Sequence, residues 1–233
     1  MPTLRVIGPG RAGTAVSRAL EASGWTVAAP LRRGEDHRAA ARGVDLLLVA
    51  TPDAAVADVA SAVAPEPETV VAHLAGSLGL DVLAPHPRRA SIHPLVSIPA
   101  GTTDVRGAWF AVAGDDLAGK VVADLGGRPV VVEDAARATH HAAACIASNH
   151  LVALLGQVER VAAEAGVPLE AYLDLARQSL ENVAAVGPRA ALTGPVRRGD
   201  HETVERHRAA LAADEVPAYD AMAALARRLV PGS

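Results

Sequence analysis

His141, Cys145 and Asn149 recur every four residues in H140-H-A-A-A-C-I-A-S-N149. That spacing places them as one stripe on a helix, with His140 and Ser148 beside it. The stripe joins an imidazole, which titrates near neutrality, to a carboxamide that both donates and accepts hydrogen bonds, a pairing suited to proton transfer onto a held polar substrate. The alanines around it leave room for a ligand; they would equally allow a close helix crossing in which the polar groups satisfy one another. His73, Ser77 and His93 form a second group, in H73-L-A-G-S77 and S91-I-H-P-L95. A third group has the spacing of a ligand site: Gly8, Gly10 and Gly13 make a G-x-G-x-x-G between an apolar run, Leu4–Ile7, and an amphipathic helix, Ala12–Ala22. A motif so placed holds a dinucleotide. Gly8 permits the tight turn, Gly10 lets a pyrophosphate approach the backbone, and Gly13 lets helix and strand pack closely, while the first-turn amides around Arg11 and Ala12 face the phosphates.

The elements that must position these groups alternate between strand and helix in the first half of the chain. After Gly24, Trp25–Ala29 reads as the second strand, whose end approaches the adenosine ribose in this fold. It runs into Pro30-Leu31-Arg32-Arg33, with the first acids at Glu35 and Asp36. Guanidinium groups in place of an acid predict a 2′-phosphate, and hence NADP. Asp45–Ala50 is a third, buried strand ending at Thr51-Pro52-Asp53, where Thr51 and Asp53 are expected to cap the next helix and Thr51 and Pro52 to border the cofactor. Strands follow at Val70–Leu74, about Arg89–Ile92, Trp109–Ala113 and Pro129–Val132, with a helix at Asp116–Leu125. His73, Ser77 and His93 therefore lie on the carboxyl-end side of the sheet, where such folds bind ligands.

Beyond Glu133 the pattern is helical. Glu133–Gly166 has no proline and reads as one long helix; a second runs from Pro168 to about Val186 and stops at Gly187-Pro188, and two shorter ones follow Asp200 and Pro217. The expected architecture is α/β: a Rossmann domain with a doubly wound, mostly parallel sheet over residues 1–132, then an all-α domain over 133–233 for substrate binding and dimerisation. A helical half of that size, rich in alanine and leucine, predicts a homodimer.

The net charge of −4 and the scattered arginines argue against nucleic acid as a partner. The first strand begins within a few residues of Met1 and no apolar run reaches membrane-spanning length, which predicts a cytoplasmic protein without a leader. One cysteine, Cys145, excludes an intrachain disulfide and a cysteine metal cluster, and no metal is expected. Lysine occurs once, as Lys120, among 22 basic residues, which limits lysine-based catalysis.

The succession of G8-P-G-R-A-G13, H73-L-A-G-S77, S91-I-H-P-L95, A147-S-N-H-L151 and T193-G-P-V-R-R-G-D200 resembles the 6-phosphogluconate dehydrogenase-like superfamily. Within it, the chain is similar over nearly its whole length to Rossmann-like proteins that carry a helical C-terminal domain of unknown function. The resemblance implies an NADP-linked oxidoreductase, dimeric through its helical domain, with the active site between domains. More distant relatives include pyrroline-5-carboxylate reductases, β-hydroxyacid dehydrogenases, which carry Lys-x-x-x-Asn on this helix, and ketopantoate reductases, which carry Lys-x-x-x-Asn-x-x-x-Asn. Anchored on Asn149, the first pattern puts Cys145 at the lysine and the second puts His141 there. The expected roles follow: His141 or His93 donates the proton, and Asn149 and Ser77 hold the substrate. The expected reaction is hydride transfer from NADP(H) to the C=O or C=N of a small carboxylate-bearing metabolite, a ketopantoate-like 2-oxo acid first among them. The missing lysine supports a different reading, a non-catalytic NADP-binding sensor or scaffold.

Overall fold

The computed structural model describes residues 1–99 and 103–231. Chain contacts divide the protein into two compact units, Met1–Ser148 and Asn149–Ser233. The first holds strands β1 (Thr3–Ile7), β2 (Thr26–Val27), β3 (Leu46–Val49), β4 (Val70–His73), β5 (Arg89–Pro94), β6 (Trp109–Gly114) and β7 (Arg128–Val131). Its helices are α1 (Arg11–Ala22), α2 (Val56–Ala62), α3 (Leu117–Asp124) and α4 (Arg137–Cys145). Among the described residues the strands form one sheet in the order β2-β1-β3-β4-β5-β6-β7, parallel throughout except where β5 meets β6.

A parallel sheet covered on both faces needs apolar side chains on both. All four residues of β3 are buried, and the alternation along the strands sorts the core into two layers. Leu4, Val6, Leu46, Leu48, Ala72 and Ile92 pack with α1 and α3 on one face; Ile7, Leu47, Val49 and Val71 pack with α2 on the other. On that second face the sequence turns polar toward the carboxyl edge. His73 and Ser91 are register partners on β4 and β5 and are fully buried, and His93 lies two residues further along β5 on the same side.

The second strand is shorter than expected, because Pro30 has no N–H to continue the ladder. The chain leaves the sheet after Ala28, whose N–H reaches Leu4 O at 2.8 Å, and rejoins it at Leu31, which bridges to Ile7. Leu31 O then accepts the Gly8 N–H at 2.9 Å, so the step into Arg32 is fastened to the glycine turn itself.

The long helix is nearly continuous but not uniform. A 3₁₀ turn, Asp134–Ala136, leads into α4; a π-helical turn, Ile146–His150, separates it from α5 (Leu151–Glu164). The division between the compact units falls inside that π turn, rather than at the residue 132/133 boundary expected from the sequence, because the 3₁₀ turn and α4 are bound to the first unit. Asp134 accepts the Leu80 N–H at 3.0 Å, and His140 is paired with His93.

The second unit continues with α6 (Leu169–Ala191), α7 (Gly194–Arg198), α8 (His201–Ala210) and α9 (Val216–Arg227). Gly187 at φ 78° breaks α6 where Gly187-Pro188 was expected to end it. The short α7 went unread in the sequence. It explains T193-G-P-V-R-R-G-D200 structurally: Gly199 closes α7 in the left-handed conformation, and Asp200 caps α8 by accepting the Thr203 N–H at 3.0 Å. Arg160 on α5 pairs with Glu215 at the start of α9, whose carbonyl accepts from Gln157 at 2.9 Å. Among the described residues no helix is long and apolar enough to cross a membrane.

Candidate active site

The three glycines of the β1–α1 turn differ in what an added side chain would meet. Gly8 has φ +84°, and an added Cβ would lie 2.9 Å from Ala50 O. At Gly13 a Cβ would lie 2.8 Å from both the Ala50 Cβ and Gly8 O, so the helix could not seat against β1 and β3. Gly10 is different: its backbone is extended, and among the described residues a Cβ there would meet no heavy atom within 4 Å beyond its own chain neighbours. Nothing among the described residues demands glycine at that position, and the space in front of the α1 N-terminus is the space a pyrophosphate would need. Helix α1 has no side-chain cap and no acid in its first turn, leaving the amides of Arg11, Ala12 and Gly13 available to an anion.

Beside this turn, Arg32 and Arg33 are exposed and make no ion pair among the described residues. The two nearby acids are occupied in shaping the loop: Glu35 accepts the Arg32 N–H at 2.6 Å and Asp36 the Arg38 N–H at 2.9 Å. The residues present therefore fit a dinucleotide with an extra phosphate on its ribose. A cleft of about 410 Å³ runs from Gly10 and Arg11, past Thr51 and Pro52, to Leu74 and His93. Thr51 and Asp53 do not cap the following helix; Pro52 stands at the cap position of the 3₁₀ turn Asp53–Ala55. Pro52 is extended, at ψ 144°, and the turn begins at Asp53, one residue too late for Thr51 to cap it and one too early for Asp53. Thr51 Oγ1 is instead buried without a partner in the cleft wall, and Asp53 accepts from Ser77 Oγ at 3.2 Å.

At the far end of the cleft the histidines gather. His93 Nδ1 lies 3.2 Å from His140 Nε2, and the His93 ring stands edge-on to both His140 and His141, with centroids 5.4 and 5.8 Å apart. Gly76 explains how they meet. A Cβ there would collide with His141 Nδ1 and lie 2.8 Å from His93 Cε1, so the absent side chain lets both imidazoles close over the turn after β4. His141 Nε2 is 3.6 Å from Cys145 Sγ, while its Nδ1 is buried with no partner. Burial, and then the charges of His140, His141, Arg137 and His73, push His93 down to about 4. It is neutral at pH 7. Among the described residues no group of three or more His, Cys, Asp or Glu is arranged to hold a metal ion.

The structure thus brings His93, His141 and the Gly76-Ser77 turn together at the end of a cleft that starts at the glycine motif. Asn149 sits in the π turn, as the first residue of the second unit. The π turn adds a residue to the helical repeat, so Asn149 does not extend the His141–Cys145 stripe with the pure α spacing expected; such turns are frequent at functional sites. Sequence reasoning missed Arg137. It lies four residues before His141, so the stripe begins one turn earlier, and that spacing was the available signal. Arg137 is 1% exposed, and its three guanidinium nitrogens have no partner among the described residues.

The depressed His93 carries a stability consequence. Its folded value of about 4 lies below the ordinary 6.5, so between those pH values the unfolded chain binds more protons. The stabilisation is complete above about pH 6.5 and is lost as pH falls toward 4. His73 and His140, also lowered first by burial, act in the same direction. Urea unfolding at pH 5 is expected to give a stability lower by about 2 kcal/mol than at pH 7.5 from His93 alone. His93→Gln should flatten that slope; an unchanged slope would show that His93 is not held neutral.

Comparison with known proteins bears on the whole chain. A Rossmann-like domain model matches residues 30–99, and the model of a domain of unknown function, DUF2520, matches residues 110–226, half of the chain. The chain belongs to the DUF2520 family. A search of curated protein sequences returns no match. Among solved structures, this DUF2520 protein is similar to a candidate NADP oxidoreductase from Bacteroides fragilis, at 20% identity over 97% of this chain and 96% of that one, with a TM-score of 0.77. It is also similar to a reductive aminase from Aspergillus terreus in complex with NADPH and ethyl levulinate, at 17% identity over 98% and 94% of the two chains, TM-score 0.72. A 1-pyrroline-5-carboxylate reductase from Streptococcus pyogenes matches at 16% identity over 97% and 98%, TM-score 0.66. At these identities the likeness is one of fold.

Proposed function

We propose that this DUF2520 protein is an NADP(H)-dependent reductase acting on the C=O or C=N of a small carboxylate-bearing metabolite, with ketopantoate-like 2-oxo acids as the first substrate class. The observation that carries the reading is a cleft that joins Gly10 to His93, whose ring stands against His140 and His141. The resemblance to the 6-phosphogluconate dehydrogenase-like superfamily and the NADP(H) named for the fold neighbours support it. The α1 first-turn amides hold the pyrophosphate, and Arg32 and Arg33 hold the 2′-phosphate. When bound, the dinucleotide supplies the hydride. Ser77 and Asn149 orient the substrate by hydrogen bonds, and Thr51 Oγ1 in the cleft wall gains a partner on binding. His141 gives the proton to the substrate oxygen or nitrogen. His93, neutral at pH 7, serves as an orienting hydrogen-bond partner and not as the acid.

Losing charge-assisted contacts to a phosphate costs about 1.5–3 kcal/mol. The Arg32→Ala/Arg33→Ala double variant is therefore expected to bind NADPH roughly 10- to 150-fold more weakly, with NADH affinity unchanged. Calorimetric titration of both nucleotides checks this. A wild type that prefers NADH, or a double variant that keeps its NADPH preference, overturns the cofactor assignment.

The same reading includes a homodimer. None of the 23 residues of α6 is buried, and Leu175, Leu180 and Val186 are each more than half exposed. A helix with that much apolar surface gains most of its stability from packing, and a second copy of this chain supplies it. Sedimentation at micromolar concentration should give a dimer, and Leu180→Glu should shift it toward monomer. A wild type that sediments as monomer contradicts the proposal.

A further inference from the structure

Arg137 poses a problem that the reductase chemistry does not use. Its side chain is almost wholly buried, its three nitrogens donate to nothing among the described residues, and an arginine does not escape by losing its proton. Asp134, one turn earlier, is turned to the Leu80 N–H at 3.0 Å and makes no ion pair with Arg137. Three further buried polar atoms are without partners among the described residues. Ser91 Oγ and His73 Nδ1, register neighbours on β5 and β4, are fully buried and unsatisfied, and His141 Nδ1 is buried and unsatisfied over Gly76. His73 Nε2 faces Gly79 O at 3.2 Å, so it carries the hydrogen and Nδ1 presents a lone pair. The cluster therefore holds a permanent cation and a hydroxyl as donors, and the one carboxylate whose charge is felt at Arg137, Asp134, makes no ion pair with it.

We propose that Arg137, assisted by Ser91, forms the anion subsite that recognises the substrate carboxylate; the proposal rests on the reductase reading above. A carboxylate offers two oxygens to the planar guanidinium fork, the geometry in which arginine binds such groups best. Entry is from the cleft. His93 lines the cleft, and its ring stands against His140 and His141 on the helix that carries Arg137, one turn before His141.

Oxamate, a stable carboxylate mimic of a 2-oxo acid, and oxamide, its neutral counterpart, separate charge recognition from shape. Calorimetric titration of the NADPH-loaded wild type should show oxamate binding at least tenfold more tightly than oxamide. Arg137→Gln should lose that preference, with oxamide affinity unchanged, and Arg137→Lys should recover part of it. A wild type that binds the two probes alike, or does not bind oxamate, overturns the subsite without recourse to any variant. So does an Arg137→Gln protein that melts cooperatively and still prefers oxamate. NADPH titration of the same wild type keeps the two claims apart: bound NADPH with no oxamate preference removes the anion subsite and leaves the reductase reading standing, whereas failure to bind NADPH removes the reading on which both depend.

Discussion

His141→Ala lowers kcat by about 10²–10⁴-fold on a reducible 2-oxo acid, the range in which a positioned general acid contributes, and leaves NADPH affinity unchanged. The expectation rests on geometry. His141 Nε2 is engaged by Cys145 Sγ, whereas Nδ1 is buried, unpartnered and packed over Gly76 next to His93. A nitrogen so placed is ready for a group that the free protein does not contain. The other nearby imidazole is a poor substitute, because burial and the surrounding charges hold His93 neutral down to about pH 4. If the stripe served packing alone, His141→Ala would lower the melting temperature and leave turnover per folded molecule intact. Kinetics and thermal unfolding on the one variant separate these outcomes, and an active, destabilised His141→Ala would contradict the assignment.

Gly10→Ser should lower NADPH affinity by about 100-fold, roughly 2.7 kcal/mol, at unchanged folding stability. Serine is a good residue at a helix N-cap, and among the described residues beyond its own chain neighbours no atom lies within 4 Å of a Cβ built at Gly10, so the fold has no reason to object. What the side chain would meet is the pyrophosphate. Gly13→Ala is the contrasting case. Its methyl would lie 2.8 Å from Ala50 Cβ and Gly8 O, and overpacking of that kind typically costs about 1–3 kcal/mol of stability. Chemical denaturation beside nucleotide titration measures both. A Gly10→Ser protein that binds NADPH like the wild type would mean the turn is a structural feature without a phosphate.

What was legible in the sequence is what local chemistry decides. The glycine spacing located the turn and the structural roles of Gly8 and Gly13, and the apolar runs of β1, β3 and β4 announced a sheet covered on both faces. The break at Gly187-Pro188 and the helix start after Asp200 were visible for the same reason, since each depends on its own backbone. Features set by distant contacts were not. The end of the ladder at Pro30 could have been read from its missing N–H, but the return at Leu31 depends on pairing with β1, which residues 25–31 do not encode by themselves. The π turn at Ile146–His150 has ordinary helix-forming residues and no proline or glycine to mark it. Arg137 looked like one more arginine in an arginine-rich chain, and its meaning comes from being buried with no partner among the described residues, which its own sequence neighbourhood does not encode. Thr51 and Asp53 were read as caps because both residue types cap helices; the structure gives Asp53 to Ser77 and leaves Thr51 waiting in the cleft.

The central claim is that the cleft from Gly10 to His93 performs reduction with NADPH. The direct test is to follow NADPH absorbance with the purified protein over a panel of 2-oxo acids including ketopantoate, cyclic imine acids and aldehydes. The account predicts protein-dependent NADPH consumption with at least one carboxylate-bearing carbonyl or imine, matched mole for mole by reduced product and much slower with NADH. Tight NADPH binding with no consumption across the panel would contradict it and leave a nucleotide-binding sensor or scaffold.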